Sequence, residues 1–208
     1  MVVTTIISFT TSAPTDDTIS ELNKVFNASS SRSQFTIGTK VQNPTVVQIT
    51  AEWPSAQAPS ELSTNQAYQD FSNTIQGIAS SPITTTVVNL STSIFAPRQP
   101  PLTEFVHCSF PASTPDFKSK IESDFTRFES IFRRRGNPEA CGEMGLATGW
   151  AEEVNGVAAF VVVRGWREMR RFEESLSSEE FREGGPILMG WGVPFELWHV
   201  ETKGSGGF

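Results

Sequence analysis

Three prolines within five residues divide the chain near its middle. The segment 96–101 has the sequence Ala-Pro-Arg-Gln-Pro-Pro, and prolines at this density do not fit a helix interior or a central strand. We therefore predict an extended linker over 96–101. It separates a first unit, 1–95, from a second unit, 102–203, and the glycine-rich residues 204–208 are expected to form a flexible tail.

The two units show the same order of sequence patterns. Each begins with an apolar stretch that predicts a strand, Thr5–Phe9 in the first and Glu104–Phe110 in the second. A helical period follows each strand. It is clearest in the second unit, where apolar residues recur at steps of three and four and so form one face of an amphipathic helix: Phe117, Ile121, Phe125, Phe128 and Phe132.

A strand pair follows in each unit. The dipeptide Asn155-Gly156 separates two strand-like runs, and Asn-Gly is a strong hairpin signal because both residues tolerate positive φ. Asn43-Pro44 holds the equivalent place in the first unit. Each unit then continues with a second helix, predicted at 60–78 and 167–183, and a closing strand, predicted at 83–90 and 195–202. The resulting order, β-α-β-β-α-β, is that of a ferredoxin-like unit.

The duplication suggests how the two sheets are covered. A four-stranded antiparallel sheet with helices on one face leaves its other face open, and that face must be buried. Two such sheets can cover each other and close an eight-stranded barrel. We therefore predict an α+β fold with two ferredoxin-like units in tandem. Because the pseudo-dimer is internal, we expect a monomer, with a homodimer as the alternative.

Composition excludes several classes of function. The net charge is −7, which argues against nucleic acid, and the basic run Arg133–Arg135 is explained by a helix C-terminus. The longest apolar run, Val157–Val163, is too short to cross a membrane. Two cysteines, Cys108 and Cys141, make neither a disulfide framework nor a zinc site. With no signal-peptide pattern, we expect a cytoplasmic protein.

These patterns resemble the dimeric α/β-barrel superfamily. More narrowly, they resemble a tandem antibiotic-biosynthesis-monooxygenase-like protein of the fungal type. The resemblance covers nearly the whole chain and is carried by four stretches: Glu104–Phe110, Gly145–Trp166, Phe172–Phe181 and Phe195–Val200.

The resemblance implies an enzyme of polyketide-like specialised metabolism. Such an enzyme binds an apolar, aromatic or polycyclic molecule and catalyses oxygenation, cyclisation or isomerisation by proton transfer. No glycine-rich phosphate loop, nucleophile elbow or histidine-rich ligand set is visible, so no cofactor and no metal are expected. A non-catalytic small-molecule-binding module and a haem-handling protein are the alternatives.

The two histidines are the candidates for proton transfer. Strand alternation puts His107 on one face with Phe105 and Ser109, and His199 lies in the last strand. We expect the first and last strands of the unit to lie apart, so the two histidines need not meet. The alternative for each is a hydrogen-bonded histidine with a structural role.

Arg164 interrupts an apolar strand. A half-buried arginine must find a carboxylate or a ligand anion, so Arg164 is a candidate for orienting substrate. The alternatives are an internal ion pair or a strand end that reaches solvent. A two-residue loop at Asn155-Gly156 would pair Val154 with Val157. It would also place Trp150 opposite Val161, on the other face from Arg164.

Substrate contacts are expected mainly from aromatic side chains. The segment Gly184–Pro194 is apolar but rich in glycine, which suits a lid or pocket rim better than a helix. The second unit holds 29 of the 39 charged residues and is expected to bear the site. The predicted substrate-binding residues are Phe105, Ser109, Trp150, Trp166, Trp191, Trp198 and Tyr68.

Overall fold

The fold was examined in a computed structural model of the whole chain. The residues that the structure describes are 1–12, 15–27, 34–53, 66–96, 98–113, 116–136, 138–139, 141–151 and 154–207. Within these ranges no helix is long and apolar enough to cross a membrane.

The first unit has the predicted element order. Its described elements are β1 (Val2–Thr10), α1 (Thr15–Asn27), β2 (Gln34–Lys40), β3 (Asn43–Trp53), α2 (Gln66–Ile78) and β4 (Thr84–Leu90).

The second unit repeats this order, except that its second helix is split into two. Its described elements are β5 (Leu102–Pro111), α3 (Phe117–Phe132) with a 3-10 turn at Arg133–Arg135, β6 (Glu143–Ala151), β7 (Val157–Trp166), α4 (Met169–Leu176), α5 (Glu179–Met189) and β8 (Phe195–Gly207).

All eight strands form one closed antiparallel barrel. Its order is β1-β3-β2-β8-β5-β7-β6-β4, so each unit has the strand order 4-1-3-2 of a ferredoxin-like sheet. Two seams join the units: β2 pairs with β8, and β4 pairs with β6. The predicted fold class is confirmed. The barrel closes because the edge strands of each sheet find partners in the other unit.

Three apolar layers follow from this topology. Residues such as Phe105, Val161 and Trp198 fill the barrel interior. Phe9 and Leu22 belong to a layer between the first sheet and its helices. The third layer lies between the second sheet and α3–α5 and is rich in aromatic side chains.

The end of β8 differs from the expected tail. Residues 204–207 continue the strand and pair with β2, from Ile37↔Gly204 to Gln34↔Gly207. Backbone hydrogen bonds to an otherwise open edge need no side chains, so glycines can serve here. At Gly204 a Cβ atom would lie 2.3 Å from the Asn23 side-chain amide, so a larger residue at this position would require that side chain to move.

Helix α5 corrects the prediction that 184–194 is a non-helical rim. Residues 184–189 are helical despite Pro186. The Ser178 hydroxyl caps the helix by accepting from the Phe181 N–H at 3.1 Å, and two acidic residues occupy the first turn, which the helix dipole favours. Gly184 lets the helix approach Phe128, whose ring would lie 3.0 Å from an added Cβ.

The β6–β7 hairpin has the predicted turn but a different register. Val154 pairs with Val157, as expected. Trp150 pairs with Phe160 and not with Val161, which puts Trp150 on the same sheet face as Arg164. The pairing of Val154 with Val157 and that of Trp150 with Phe160 therefore differ by one residue in register.

The first and last strands of the second unit are neighbours, which corrects the expectation that they lie apart. β5 and β8 pair directly, with Glu104 opposite His199 and His107 opposite Glu196. In the 4-1-3-2 order the last strand lies beside the first. His107 and His199 nevertheless face opposite sides of the sheet. His199 pairs with Glu104, which is three residues from His107, and side chains an odd number of residues apart on a strand point to opposite faces.

Candidate functional site

A cavity of about 340 Å³ lies between the second sheet and helices α3–α5. Its walls are almost wholly apolar. The strands contribute side chains of one sheet face, which follow the two-residue period, and the helices contribute their inward faces. The lining residues are Glu104, Val106, Cys108, Phe125, Phe128, Phe132, Val162, Arg164, Trp166, Phe172, Ser175, Leu176, Phe181, Leu188, Met189, Trp191, Val193, Phe195 and Leu197.

The same layer of the first unit is packed differently. There Leu22 of α1 and Ile75 of α2 pack on Phe35, Ile49 and Trp53 of the sheet, each of these residues being at most 5% exposed. In the second unit the shorter helix α4 ends at Leu176, and α5 starts a new direction after Ser178. The cavity lies beneath this break, with Ser175 and Leu176 in its wall.

A buried ion cluster forms one end of the cavity. Arg164 is 4% exposed, and its Nη1 donates to Glu143 Oε2 at 2.6 Å. Its Nη2 donates to Glu129 Oε1. Both carboxylates are themselves buried. The forked guanidinium therefore takes one carboxylate from α3 and one from β6, the arrangement that best satisfies a buried arginine.

Arg133 closes the cluster toward solvent. Its side chain is 43% exposed, with Nη2 at 3.4 Å from Glu143 Oε1 and Nε at 3.3 Å from Glu129 Oε2. The second contact has the distance of an ion pair but not the geometry of a hydrogen bond, since Glu129 Oε2 has no hydrogen-bond partner among the described atoms. Two arginines and two glutamates thus balance in charge.

Glu104 is a third carboxyl group at this end, and the sequence analysis did not select it. It is 8% exposed and lines the cavity. Its Oε2 accepts from Trp166 Nε1 at 2.7 Å. Burial raises the pKa of Glu104, and the positive charge of Arg164 acts against that rise. The signal available in the sequence was a charged residue within an apolar strand, the same signal that pointed to Arg164.

His199 lies on the helix side of the sheet but not in the cavity wall. It is 1% exposed, with its ring 4.3 Å from that of Phe172. Gln42 binds it twice: Oε1 accepts from the backbone N–H of His199, and Nε2 donates to Nδ1, both at 3.0 Å. Nδ1 is therefore an acceptor, and the proton of the neutral ring is on Nε2, which has no partner among the described atoms.

His107 faces the barrel interior, away from the cavity. Its ring lies 4.8 Å from that of Trp198 in an edge-on arrangement. Burial and the nearby charge of Lys40 lower the pKa of His107 to about 4. Burial alone lowers the pKa of His199 to about 4. Both rings are therefore neutral at physiological pH.

The predicted aromatic residues divide between the two faces of the sheet. Trp166 and Trp191 line the cavity. Trp150 packs beside it against Phe117 and Phe160. Trp198 lies in the barrel interior, where its Nε1 donates to Gln48 Oε1 at 2.7 Å.

Phe105 and Ser109 do not line the cavity. Phe105 stacks on Trp198 in the barrel interior, with ring centroids 5.5 Å apart. Ser109 is exposed on the same strand. Tyr68 falls within α2, but its side chain lies outside the described residues. The structure therefore brings Arg164, Trp166 and Trp191 together, and separates them from Phe105 and His107.

Comparison with known proteins identifies structural neighbours only. No protein-family model matches the chain, and no curated protein matches it. Among solved structures, a candidate monooxygenase from Fusobacterium nucleatum is 13% identical, with a TM-score of 0.68, over 100% of this chain and 96% of that chain.

Two further neighbours extend along nearly the whole chain. An anthrone oxidase-like protein is 12% identical, with a TM-score of 0.67, over 99% of this chain and 92% of that chain. A candidate monooxygenase from Lactobacillus acidophilus is 11% identical, with a TM-score of 0.62, over 99% and 96% of the two chains. At these identities the likeness shows that the chain shares the fold of these monooxygenase-like proteins.

Proposed function

We propose that the second-unit cavity binds an apolar molecule, aromatic or polycyclic, and that the chain is a cofactor-independent enzyme of polyketide-like metabolism. The reaction is an oxygenation, cyclisation or isomerisation that proceeds by proton transfer. One observation carries the proposal: a cavity of about 340 Å³ has apolar walls and a buried group of charged side chains at one end. Ligand sites commonly combine an apolar lining with a few convergent polar groups.

The walls would bind and orient the ligand. Aromatic rings such as Phe125, Phe128 and Trp191 present faces and edges suited to a planar ring system. Apolar walls also exclude water, which strengthens the electrostatic effect of the charged end on a bound oxygen atom. The names of the structural neighbours support the oxygenation alternative within this proposal.

Arg164 would stabilise negative charge on the ligand rather than donate a proton. Its guanidinium lies in the cavity wall and remains charged, since its buried carboxylate partners raise its pKa further. A negative charge that develops on a ligand oxygen would be stabilised by that field. The proton-transfer roles predicted for His107 and His199 remain predictions, and alanine at each position tests them by the change in turnover.

A non-catalytic binding module is the second candidate. Neither histidine lines the cavity, and the carboxylates of Glu129 and Glu143 are already paired with arginines. A carrier needs no more than an apolar cavity with one polar end.

The cavity is poorly suited to the haem alternative. Haem iron is usually held by histidine, cysteine thiolate, methionine or tyrosine. Neither histidine is in the wall. Among the described wall residues, Met189 is 57% exposed, and burial raises the pKa of the Cys108 thiol to about 11, which disfavours the thiolate. The described residues therefore favour an organic ligand without iron.

A blocked cavity tests the proposal. Leu197→Trp places an indole in the cavity, whereas Ile83→Trp adds the same bulk at an exposed position of the first unit. We expect the wild-type protein and Ile83→Trp to bind 1-methylnaphthalene, measured by ligand fluorescence, and Leu197→Trp to lose binding. The same three proteins are then incubated in air with an anthrone, and products are identified by mass spectrometry.

The outcomes separate the two candidates. Conversion by the wild-type protein that Leu197→Trp abolishes supports an enzyme with its site in this cavity. Binding without any conversion supports the binding module for this ligand class. Equal binding by the wild-type protein and Leu197→Trp would show that the cavity is not the site.

A further inference from the structure

We propose that Glu104 exchanges a proton with the molecule bound in the cavity, and that this molecule presents a phenol or enol hydroxyl to Glu104 Oε1. This inference rests on the proposed function and specifies its ligand: an apolar ring system with one weakly acidic hydroxyl at the charged end.

Most polar side-chain atoms at this end of the cavity already have hydrogen-bond partners. Arg164 donates Nη1 and Nη2 to Glu143 and Glu129. The Ser175 hydroxyl donates to the carbonyl of Phe172 at 2.7 Å. Glu104 uses only Oε2, which accepts from Trp166, and the described residues give Oε1 no partner. Oε1 is therefore the carboxyl oxygen of the wall that is left to accept from a ligand.

Two of the three carboxylates at this end of the cavity are balanced by arginines. Glu129 and Glu143 are balanced by Arg164 and Arg133. A third ionised carboxylate would leave a net negative charge in a buried site, since the Trp166 indole donates a hydrogen bond but carries no charge. Carboxylates that share a site resist joint ionisation. Glu104 is the member without a guanidinium in contact, so the exchangeable proton belongs there, and the raised pKa of Glu104 agrees.

The proton exchange balances without any co-reactant. The ligand O–H bond breaks, a new O–H bond forms at Glu104 Oε1, and the electron pair remains on the ligand oxygen as phenolate or enolate. The negative charge moves from the carboxylate to the ligand within the field of Arg164. Nothing is oxidised or reduced in this step. The reverse transfer returns the proton to the ligand oxygen or to a ring carbon.

Trp166 is a positioning residue in this arrangement. Its indole N–H holds Glu104 Oε2 at 2.7 Å, which fixes the carboxyl plane and leaves Oε1 free. The indole belongs to the last residue of β7, and Glu104 lies on the neighbouring strand β5. Two rigid strands therefore set the direction in which the proton can move.

A matched pair of probes tests the inference. 1-Naphthol carries the hydroxyl, and 1-methylnaphthalene has nearly the same shape without it. A hydrogen bond to a charged acceptor should make the wild-type protein bind 1-naphthol about tenfold more tightly. A hydroxyl donor prefers the carboxylate, so 1-naphthol affinity should rise as pH rises through the pKa of Glu104. Just below that pKa, binding should release a proton, measured by calorimetry in two buffers of different ionisation enthalpy.

Glu104→Gln removes the titration but keeps the shape and an acceptor for Trp166. We expect this variant to bind 1-methylnaphthalene as the wild-type protein does, which also shows that its cavity is intact. Its affinity for 1-naphthol should no longer depend on pH in this range, and its binding of 1-naphthol should release no proton. Glu183→Gln removes an exposed carboxylate and should leave both in place.

Two results would overturn the inference while leaving the cavity as a binding site. One is equal affinity of the wild-type protein for the two probes. The other is proton release that persists in Glu104→Gln. If the wild-type protein binds neither probe, the proposed function fails, and this inference fails with it.

Discussion

Arg164 brings a full positive charge into a buried, largely apolar layer. It is 4% exposed, and it is held there by Glu129 and Glu143, which are buried with it. The desolvation of three charged groups is costly, and their mutual attraction offsets that cost only while all three are present. The stability of the second unit therefore depends strongly on each member of the cluster.

Arg164→Met should lower the free energy of unfolding by about 3–5 kcal/mol, because it leaves two buried carboxylates without their main partner. The control is Arg134→Met. Arg134 contacts Glu183, but their side chains are 54% and 58% exposed, so the loss should be under about 1 kcal/mol. Urea unfolding measures both. Similar losses in the two variants would contradict a buried, tightly coupled cluster.

The two histidines should make stability depend on pH. Burial lowers the pKa of both His107 and His199 from 6.5 to about 4. Between these values the unfolded chain binds protons that the folded chain does not, so the free energy of unfolding falls as pH falls through this window. Each histidine contributes a slope of up to about 1.4 kcal/mol per pH unit.

His107→Gln should reduce this slope, as measured by urea unfolding at pH values of about 5 and 7. The raised pKa values of Glu52 and Glu104 give a slope of opposite sign in the wild-type protein and in the variant, so they cancel in the comparison. An unchanged slope would mean that folding does not lower the pKa of His107.

For single residues, the sequence indicated that a buried charge needs a partner, but it did not indicate which residue supplies that partner. Arg164 within an apolar strand indicated that a carboxylate or an anion must lie nearby. The partners are 21 and 35 residues away in the chain, on β6 and α3, and only the tertiary fold brings them together. Glu104 carried the same signal, but β5 also holds His107, whose side chain lies on the opposite face of that strand.

In each seam between the units, the second strand of one unit contributes a glycine that lies close to a strand of the other unit. Gly38 of β2 lies against β8, and a Cβ there would be 2.2 Å from the Glu201 carbonyl oxygen. Gly149 of β6 lies against β4, and a Cβ there would be 2.0 Å from the Asn89 carbonyl oxygen. The two positions correspond in the repeat, so the strands approach closely at the same place in both seams.

Gly149→Ala should lower the free energy of unfolding by about 1–3 kcal/mol, because the new methyl group meets backbone atoms that cannot move aside without opening the seam. Gly145→Ala is the control in the same strand, where an added Cβ meets nothing within 4 Å. Its effect should be within about 0.5 kcal/mol. Chemical denaturation measures both, and equal effects would contradict the close approach.

Element types were easier to predict than element ends. Periodicity located β5, α3 and β7 because their apolar residues follow clear two-residue or helical periods. The end of α5, residues 184–189, was missed because local preference, with Gly184, Gly185 and Pro186, opposes a helix. Packing against Phe128 and the cap at Ser178 outweigh that preference, and neither is visible in a local window.

The strands of the two units form one closed, hydrogen-bonded barrel. Every strand of the barrel has two partners, so the described strands leave no sheet edge for a second chain to extend. Each sheet also covers the inner face of the other, so neither inner face needs a second chain to bury it. The eight-stranded barrel is therefore complete within one chain.

We therefore expect the protein to sediment as a single chain. Analytical ultracentrifugation over a wide concentration range should give one species with the mass of a monomer. Association through the exposed helix surfaces would produce a mass that rises with concentration. A constant mass of two chains would instead indicate that strands are exchanged between copies.

The pairing of β2 with β8 has a consequence for the order of events during synthesis. Gln34 pairs with Gly207, so the ribosome must add more than 150 residues after β2 before its second neighbour exists. Until then β2 is an open edge, and the inner face of the first sheet is exposed to other nascent chains. The polar, Ser- and Thr-rich composition of the first unit would limit aggregation of this sheet before β8 is synthesised.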